Sequence, residues 1–338
     1  MKKTYSKILI LILLFTPIFV FADVFNNNEQ TLLGQIEKAK TNRQQVVSNR
    51  NLLSYYINQK NYEKALPICQ KLLKLKLSKK QKYNLYFDIA VTFKNLGNVE
   101  DSIEYFKEAE YLYPKKIDPK IMLGKIYFEN ALYELAKNKF YEALQIDFKS
   151  VTATIWLADV FRIQGNFKLA LEYYEKAEKL RDNLDMVVYL NMAKSAKELG
   201  LTDKAMNILE EIYKSNHSKD VSLLLAILYK EQGRFKDAEE KLSLLINNTN
   251  IKDIELYVNL ASLYIFSKEY DKAEKLLSDF KNNNKSNDNR EVVDLLLADV
   301  YYSLSEKETA RQLVKEVRQY TKSDYIKLYT EDFLKVYK

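Results

Sequence analysis

With 338 residues, 47% hydrophobic and 29% charged, the chain is long enough for two ordinary domains or one extended array, and its composition is that of a folded protein. Six glycines and four prolines leave little room for strands joined by tight turns, so an all-helical fold is expected. The formal charge of +7 falls to +4 without Lys2, Lys3 and Lys7, and the remaining basic residues interleave with acids, as in LEYYEKAEKL; this marks solvated helix faces and speaks against a nucleic-acid partner.

Residues 1–22 read as a secretory signal peptide. Lys2, Lys3 and Lys7 form its basic start, Ile8 to Phe21 is an apolar run of 14 residues, and Ala22 supplies a small residue for cleavage. The run falls short of the roughly 20 residues needed to span a bilayer, so cleavage and export are expected, with an uncleaved membrane anchor as the alternative. No cysteine follows the run, so a lipoprotein would lack its acylation site. The leader and the abundance of Lys, Asn, Ile and Tyr point to a bacterial periplasm or cell envelope. Two tripeptides, at Asn216 and Asn247, match a glycosylation pattern that arises freely in an asparagine-rich chain. Residues 23–45 read as a polar segment and a short capping helix that starts at Thr31 and carries Leu32, Leu33, Ile36 and Ala39.

Residues 46–323 repeat. Eight copies begin at about Val46, Tyr83, Ile117, Val151, Met186, Lys219, Ile254 and Glu291. Position 20 of the copies is Ala65, Ser102, Ala136, Ala170, Ala205, Ala238, Ala273 and Ala310, always small, at successive spacings of 37, 34, 34, 35, 33, 35 and 37. Position 7 is always a flexible or branched apolar residue, from Leu52 to Leu297, position 8 is Ala or Gly except for Leu53, and position 11 is aromatic except for Ala196. In the clearest copy, Tyr83 to Lys116, Tyr86, Ile89, Ala90 and Phe93 share one helical face, Gly97 and Asn98 break and restart the chain, and Ser102, Phe106 and Ala109 face inward from a second helix that Pro114 ends. Copy 1 departs with Lys60 at the turn and Pro67 inside the second helix, where it should bend the helix. Residues 281–290, KNNNKSNDNR, read as a loop able to hinge copy 8. Residues 324–338 read as a C-terminal capping helix, capped by Asp324, whose Tyr325, Leu328, Tyr329, Phe333, Leu334 and Tyr337 offer apolar faces that alternatively bind a partner.

This pattern of helix pairs resembles the tetratricopeptide repeat over about four fifths of the chain. The resemblance implies a right-handed α-solenoid with capping helices at both ends, in which the first helix of each unit lines a concave groove through positions 2, 5, 9 and 12. It therefore implies other proteins as partners, bound as peptide or helical segments. The groove residues it selects are Phe87, Lys94, Ile121, Lys125, Phe128, Ile155, Arg162, Leu190, Lys194, Lys197, Leu223, Ile227, Lys230, Ile265 and Tyr302, with Val91, Asp159, Val258, Ser262 and Leu295 beside them. Several of the apolar ones alternatively pack between repeats. Trp156, at position 6, belongs to either group. The carboxylate clamp by which some members hold cytosolic chaperones is not implied, because Arg50, Ser54, Asp88, Asp118 and Met122 stand where it needs basic and amide side chains.

Chemistry is sparse. His217 is the single histidine and Cys69 the single cysteine, so no zinc site of the usual kind can be assembled and no intramolecular disulfide is possible. Cys69 at position 24 reads as a small buried hydrophobe, with an intermolecular disulfide as the alternative. No phosphate-binding, dinucleotide or hydrolase motif occurs, and all glycines except Gly34 fall at position 8 or 15. No catalytic, cofactor-binding or metal-ligating residue is assigned. The expected function is a non-catalytic scaffold or adaptor of the cell envelope, with a membrane-anchored assembly factor for outer-membrane or secretion machinery as the alternative; the membrane is involved only if the leader stays uncleaved, and the oligomeric state is left open.

Overall fold

The structure, a computed structural model, describes residues 29–181, 183–215, 217–248, 253–284 and 290–336. The leader, residues 23–28 and Tyr337 lie outside the described residues. The described residues contain eighteen helices and no strand, and they fall into two compact units that meet in sequence at residues 182–183. The first unit holds α1 (Glu29–Lys38) and four hairpins: α2 (Asn42–Asn58) with α3 (Tyr62–Leu73), α4 (Lys79–Asn95) with α5 (Val99–Leu112), α6 (Asp118–Glu129) with α7 (Tyr133–Ile146), and α8 (Val151–Ile163) with α9 (Phe167–Leu180). The second holds α10 (Met186–Glu198) with α11 (Thr202–Ser215), α12 (Lys219–Glu231) with α13 (Phe235–Asn248), α14 (Ile254–Phe266) with α15 (Tyr270–Asn283), α16 (Arg290–Ser303) with α17 (Lys307–Tyr320), and a further helix, α18 (Asp324–Val336).

The repeat phase read from sequence is the phase of the packing. Position 20 is fully buried in all eight hairpins, and so, to within a few per cent, is position 7. Where Ser102 replaces alanine, its hydroxyl donates to the Ala90 carbonyl at 2.8 Å, which satisfies the buried group. Gly124, at position 8 of the third hairpin, marks a very close approach: a Cβ there would lie 2.5 Å from the Phe140 ring. Positions 3 and 10 of the first helices are also buried throughout α4 to α16, from Leu85 and Thr92 to Val293 and Val300.

Every hairpin turns in the same way. The residue at position 15 has positive φ in all eight copies: Gly97, Gly165, Gly200 and Gly233, but also Lys60 (55°), Ala131 (58°), Lys268 (64°) and Ser305 (68°). The next amide then reaches back to the carbonyl of position 11, as in Asn98 to Phe93 at 2.9 Å and Glu269 to Tyr264 at 2.8 Å, the helix-terminating motif that closes orphan carbonyls. Four side chains tolerate a backbone that favours glycine because this hydrogen bond and the packing on either side dictate the turn.

Several boundaries differ from expectation. Thr31 lies within α1; the capping box is formed downstream, by Thr41 with Gln44, so α2 starts four residues before the phase assigned from sequence. Ser78 with Gln81 does the same for α4. Helix α3 continues through Pro67 to Leu73. Ser323, and not Asp324, caps α18, accepting from the Ile326 amide at 3.3 Å. Helix α15 runs on to Asn283 into the stretch read as a loop, and Lys281 at its end pairs with Asp294 of α16 at 2.6 Å. Asp294 is buried and also accepts from Tyr320 at 2.8 Å, so hairpins 7 and 8 are pinned to each other within one unit; of the stretch read as a hinge, residues 285–289 lie outside the described residues, and the division into units falls after hairpin 4.

Helix α1 is more than a lid. Glu29 accepts from Tyr56 at position 11 (2.7 Å) and from Lys64 at position 19 (2.8 Å). In the second unit Glu239, on the second helix of hairpin 6, accepts from Tyr264 and Lys272 at the same two positions (2.7 and 3.3 Å). Glu29 thus stands where position 21 of a preceding repeat would stand, and Leu32 falls at position 24, buried like its counterparts. Helix α1 is the second half of a repeat.

A buried charge cluster ties hairpins 2 and 3. Lys120 donates to Glu110 at 2.6 Å and to the Pro114 carbonyl at 3.1 Å, and Lys139 bridges Glu110 (3.1 Å) and Glu142 (2.9 Å). Burial pushes the Glu110 carboxyl up, but the hydrogen bonds from Lys120 and Lys139 outweigh it and hold the group below its ordinary range. Its folded pKa being depressed, the stabilisation is present above the unfolded value and lost as pH falls through the folded one.

Two outcomes follow for urea unfolding monitored by circular dichroism. Gly165→Ala, although its Cβ meets no atom, costs about 1 kcal/mol through its positive φ, and Lys268→Gly stabilises by a few tenths to about 1 kcal/mol. Glu110→Gln, which leaves Lys120 under-paired, costs about 3 kcal/mol at neutral pH, and the difference from the parent shrinks once pH falls below the ordinary carboxylate pKa.

Candidate partner-binding surface

Stacking leaves the first helices of the hairpins as the surface on which the sequence placed its groove residues. In the first unit, Phe87 on α4 packs edge-on against Phe106 at 5.2 Å, and Ile121 on α6 is buried with Ala143 and Ala153. Lys94 is paired with Glu129 of the next hairpin at 2.9 Å. Trp156 on α8 is the hub: Phe140 stacks on it at 6.1 Å, Phe128 meets it edge-on at 5.3 Å, and the Lys125 ammonium lies 5.2 Å from its ring centroid. Burial, and then the neighbouring Lys94, lower the Lys125 pKa below the usual lysine value. Ile155 is half-buried, and Arg162 approaches Asp159 at 3.6 Å, where Asp159 also accepts the Tyr174 hydroxyl at 2.5 Å.

In the second unit, Leu190 and Leu223 are buried, so they hold the stack and are not surface. Lys197 pairs with Glu231 of the next hairpin at 3.3 Å, joining position 12 of one copy to position 13 of the next, as Lys94 and Glu129 do. Lys194 is exposed and has no ion pair among the described residues. Lys230 lies 6.0 Å from the centroid of Phe266, which is 63% exposed and edge-on to Phe235 at 5.8 Å. Ile227 and Ile265 are half-buried beside it. Tyr302 is held edge-on by Phe333 of α18 at 6.3 Å and belongs to the packing. Phe266 escaped the reading by positions because it sits at position 13. The signal was available: that position is Asn, Glu or Ser in six copies, and its two apolar occupants, Ile163 and Phe266, are both exposed.

The remaining candidates for chemistry are occupied by structure. Cys69 is 1% exposed and burial, then the charge of Asp88, pushes its thiol up to about 12, which places it in the core and removes the intermolecular disulfide expected as an alternative. Arg50 and Asp88 pair with each other. His217 is exposed and stands edge-on to Tyr213 at 4.4 Å. Among the described residues no cluster of three or more His, Cys, Asp or Glu is placed to hold a metal ion. A groove of about 610 Å³ opens between α15 and α17, over Leu297, Tyr301 and Leu313.

Residues 83–116 and 254–279 match one profile of the tetratricopeptide repeat, and residues 121–184 match another. The chain carries tetratricopeptide repeats. Such repeats generally serve protein–protein interaction. A crystal structure of a tetratricopeptide repeat protein from Parabacteroides merdae superposes with a TM-score of 0.54 at 20% identity, covering 74% of this chain and 98% of that one. YrrB, described as a repeat protein with an unusual peptide-binding site, is 15% identical over 61% of this chain and 99% of its own, with a TM-score of 0.48. The human general transcription factor 3C polypeptide 3 is 22% identical over 222 residues, 64% of this chain. The chain spans only 21% of that relative's length.

Burial separates two kinds of groove residue by their effect on stability. Leu223→Ala should lower the unfolding free energy by about 2–5 kcal/mol, whereas Lys194→Glu should stay within about 0.5 kcal/mol of the parent in the same urea titration.

Proposed function

We propose that the protein is an exported, non-catalytic scaffold of the bacterial cell envelope that binds extended or helical segments of other proteins on the first-helix faces of its repeats. The observation that carries this reading is the residue of charge and apolar surface left once the repeats have packed. Lys94 and Lys197 are neutralised between hairpins, but Lys194 and Lys230 are not, and Lys230 stands beside the exposed Phe266. That combination suits a segment bearing an acidic residue next to an apolar or aromatic one, with the side chain anchoring and the charge steering. In the first unit the half-buried Lys125 over Trp156 offers the same chemistry on a smaller scale.

Export rests on the leader: three lysines, a 14-residue apolar run and Ala22. Among the described residues no helix is long and apolar enough to cross a membrane; a tethered form, the second reading, would use the apolar run of the leader. In that form the protein serves as an assembly factor at the membrane.

Photo-crosslinking in cells tests both parts. A photoreactive amino acid at Lys194 or Phe266 should capture a protein partner that the same group at Lys176, on the second helix of hairpin 4, does not capture, and Lys194→Glu with Lys230→Glu should abolish the adduct with helicity unchanged. Equal capture at Lys176, or adducts indifferent to charge reversal, would overturn the surface assignment. Sequencing the mature N-terminus decides the leader: Asp23 as first residue supports release, and Met1 in a membrane fraction supports the tether.

A further inference from the structure

Helix α18 is built as the first helix of another repeat. Counting from Lys327 as position 1, a spacing of 36 from Glu291, Thr330 at position 4 and Phe333 at position 7 are buried against the eighth hairpin, where Phe333 joins Ala298, Ala310 and Val314. Like α2 and α4, it starts three or four residues ahead of that phase behind a hydroxyl cap, here Ser323. The difference lies on its other side. Positions 3 and 10 are buried throughout α4 to α16, but in α18 they are Tyr329, 39% exposed, and Val336, 73% exposed. Tyr325 and Leu328, at 79% and 62%, extend them into one apolar stripe. A row of this kind on one helix is a surface prepared for another helix.

We propose that this stripe is a self-association surface, on which α18 pairs antiparallel with α18 of a second copy about a twofold axis. The partner's stripe is equally apolar, so each covers the other. Its charges fit as well. An antiparallel twofold brings the same flank of both helices together, and on that flank Asp324, which pairs with Lys327 of its own helix at 3.1 Å, opens α18 and Lys335 closes it. Antiparallel pairing sets Tyr325 opposite Val336 and places Asp324 beside Lys335 of the second copy at each end, while the two helix dipoles oppose. Asp332, the acid within the stripe, keeps its own pairing with Lys335 at 3.4 Å at the rim. Parallel pairing would leave Asp324 and Lys335 at opposite ends and align the two helix dipoles.

Sedimentation velocity on the full chain across micromolar concentrations should show a monomer–dimer equilibrium. Leu328→Asp, at a side chain that faces solvent in the monomer, should raise its midpoint at least about tenfold with the circular dichroism spectrum unchanged. With Cys69 buried, the double variant Tyr325→Cys/Val336→Cys should form a disulfide-linked dimer under added oxidant, and Tyr325→Cys alone should form much less. A chain that sediments as a monomer at every concentration overturns the proposal and leaves the stripe to a helix of another protein. A dimer indifferent to Leu328→Asp, or one that crosslinks as well through Tyr325→Cys alone, overturns it too.

Discussion

Two helices can lie against each other over their whole length only if the side chains between them are small at the point of closest approach, and in this protein that constraint governs everything else. Position 20 meets it with seven alanines and a serine, and position 8 with alanine or glycine in all but one copy. Gly124 shows how little slack there is, since even a methyl group would enter the Phe140 ring. A hairpin so closed still leaves apolar rows on two sides, and these are buried only by stacking on the next hairpin, which is why the repeats come in register. The positive-φ turn at position 15 is a consequence: it brings the second helix back at the angle that close approach demands, whether or not glycine occupies it.

Charge also binds hairpin to hairpin. Glu110 collects two lysines from the following hairpin, Glu239 collects a tyrosine and a lysine from its neighbour, and Lys94 and Lys197 each reach a glutamate one hairpin on. A basic groove counted from sequence is therefore partly a set of inter-repeat struts. What remains for a partner is smaller and better defined, centred on Lys194, Lys230 and Phe266 in the second unit and on Lys125 with Trp156 in the first. The Coulombic attraction of such partly solvated groups is modest, so the apolar neighbour decides affinity and the lysine decides which segments approach.

The two ends share one logic. Helix α1 takes the place of a repeat's second helix, gripped through Glu29 as Glu239 is gripped inside the second unit, and α18 takes the place of a first helix, with its next-layer row exposed apart from the Tyr329 hydroxyl, which donates to Asp299 at 3.5 Å. A half-repeat seals one face and presents another. In α1 the presented residues are mostly polar, whereas in α18 they are Tyr325, Leu328, Tyr329 and Val336. That contrast makes the C-terminal end of the second unit the place where assembly chemistry concentrates.

The sequence by itself determined the hairpins, their phase and their core, because small residues every 33 to 37 positions and a single apolar face are local requirements that each copy states for itself. It also showed the turns in copies with glycine; in Lys60, Ala131, Lys268 and Ser305 the turn is imposed by packing, which no single residue reveals. Only the tertiary structure decided that the array divides after the fourth hairpin, that residues 281–283 are helix pinned through Asp294, and that α1 is half a repeat. It alone decided which groove residues are surface, since whether Leu223 is buried, Lys197 neutralised or Lys194 free depends on what the neighbouring hairpin places opposite, some 34 residues away along the chain.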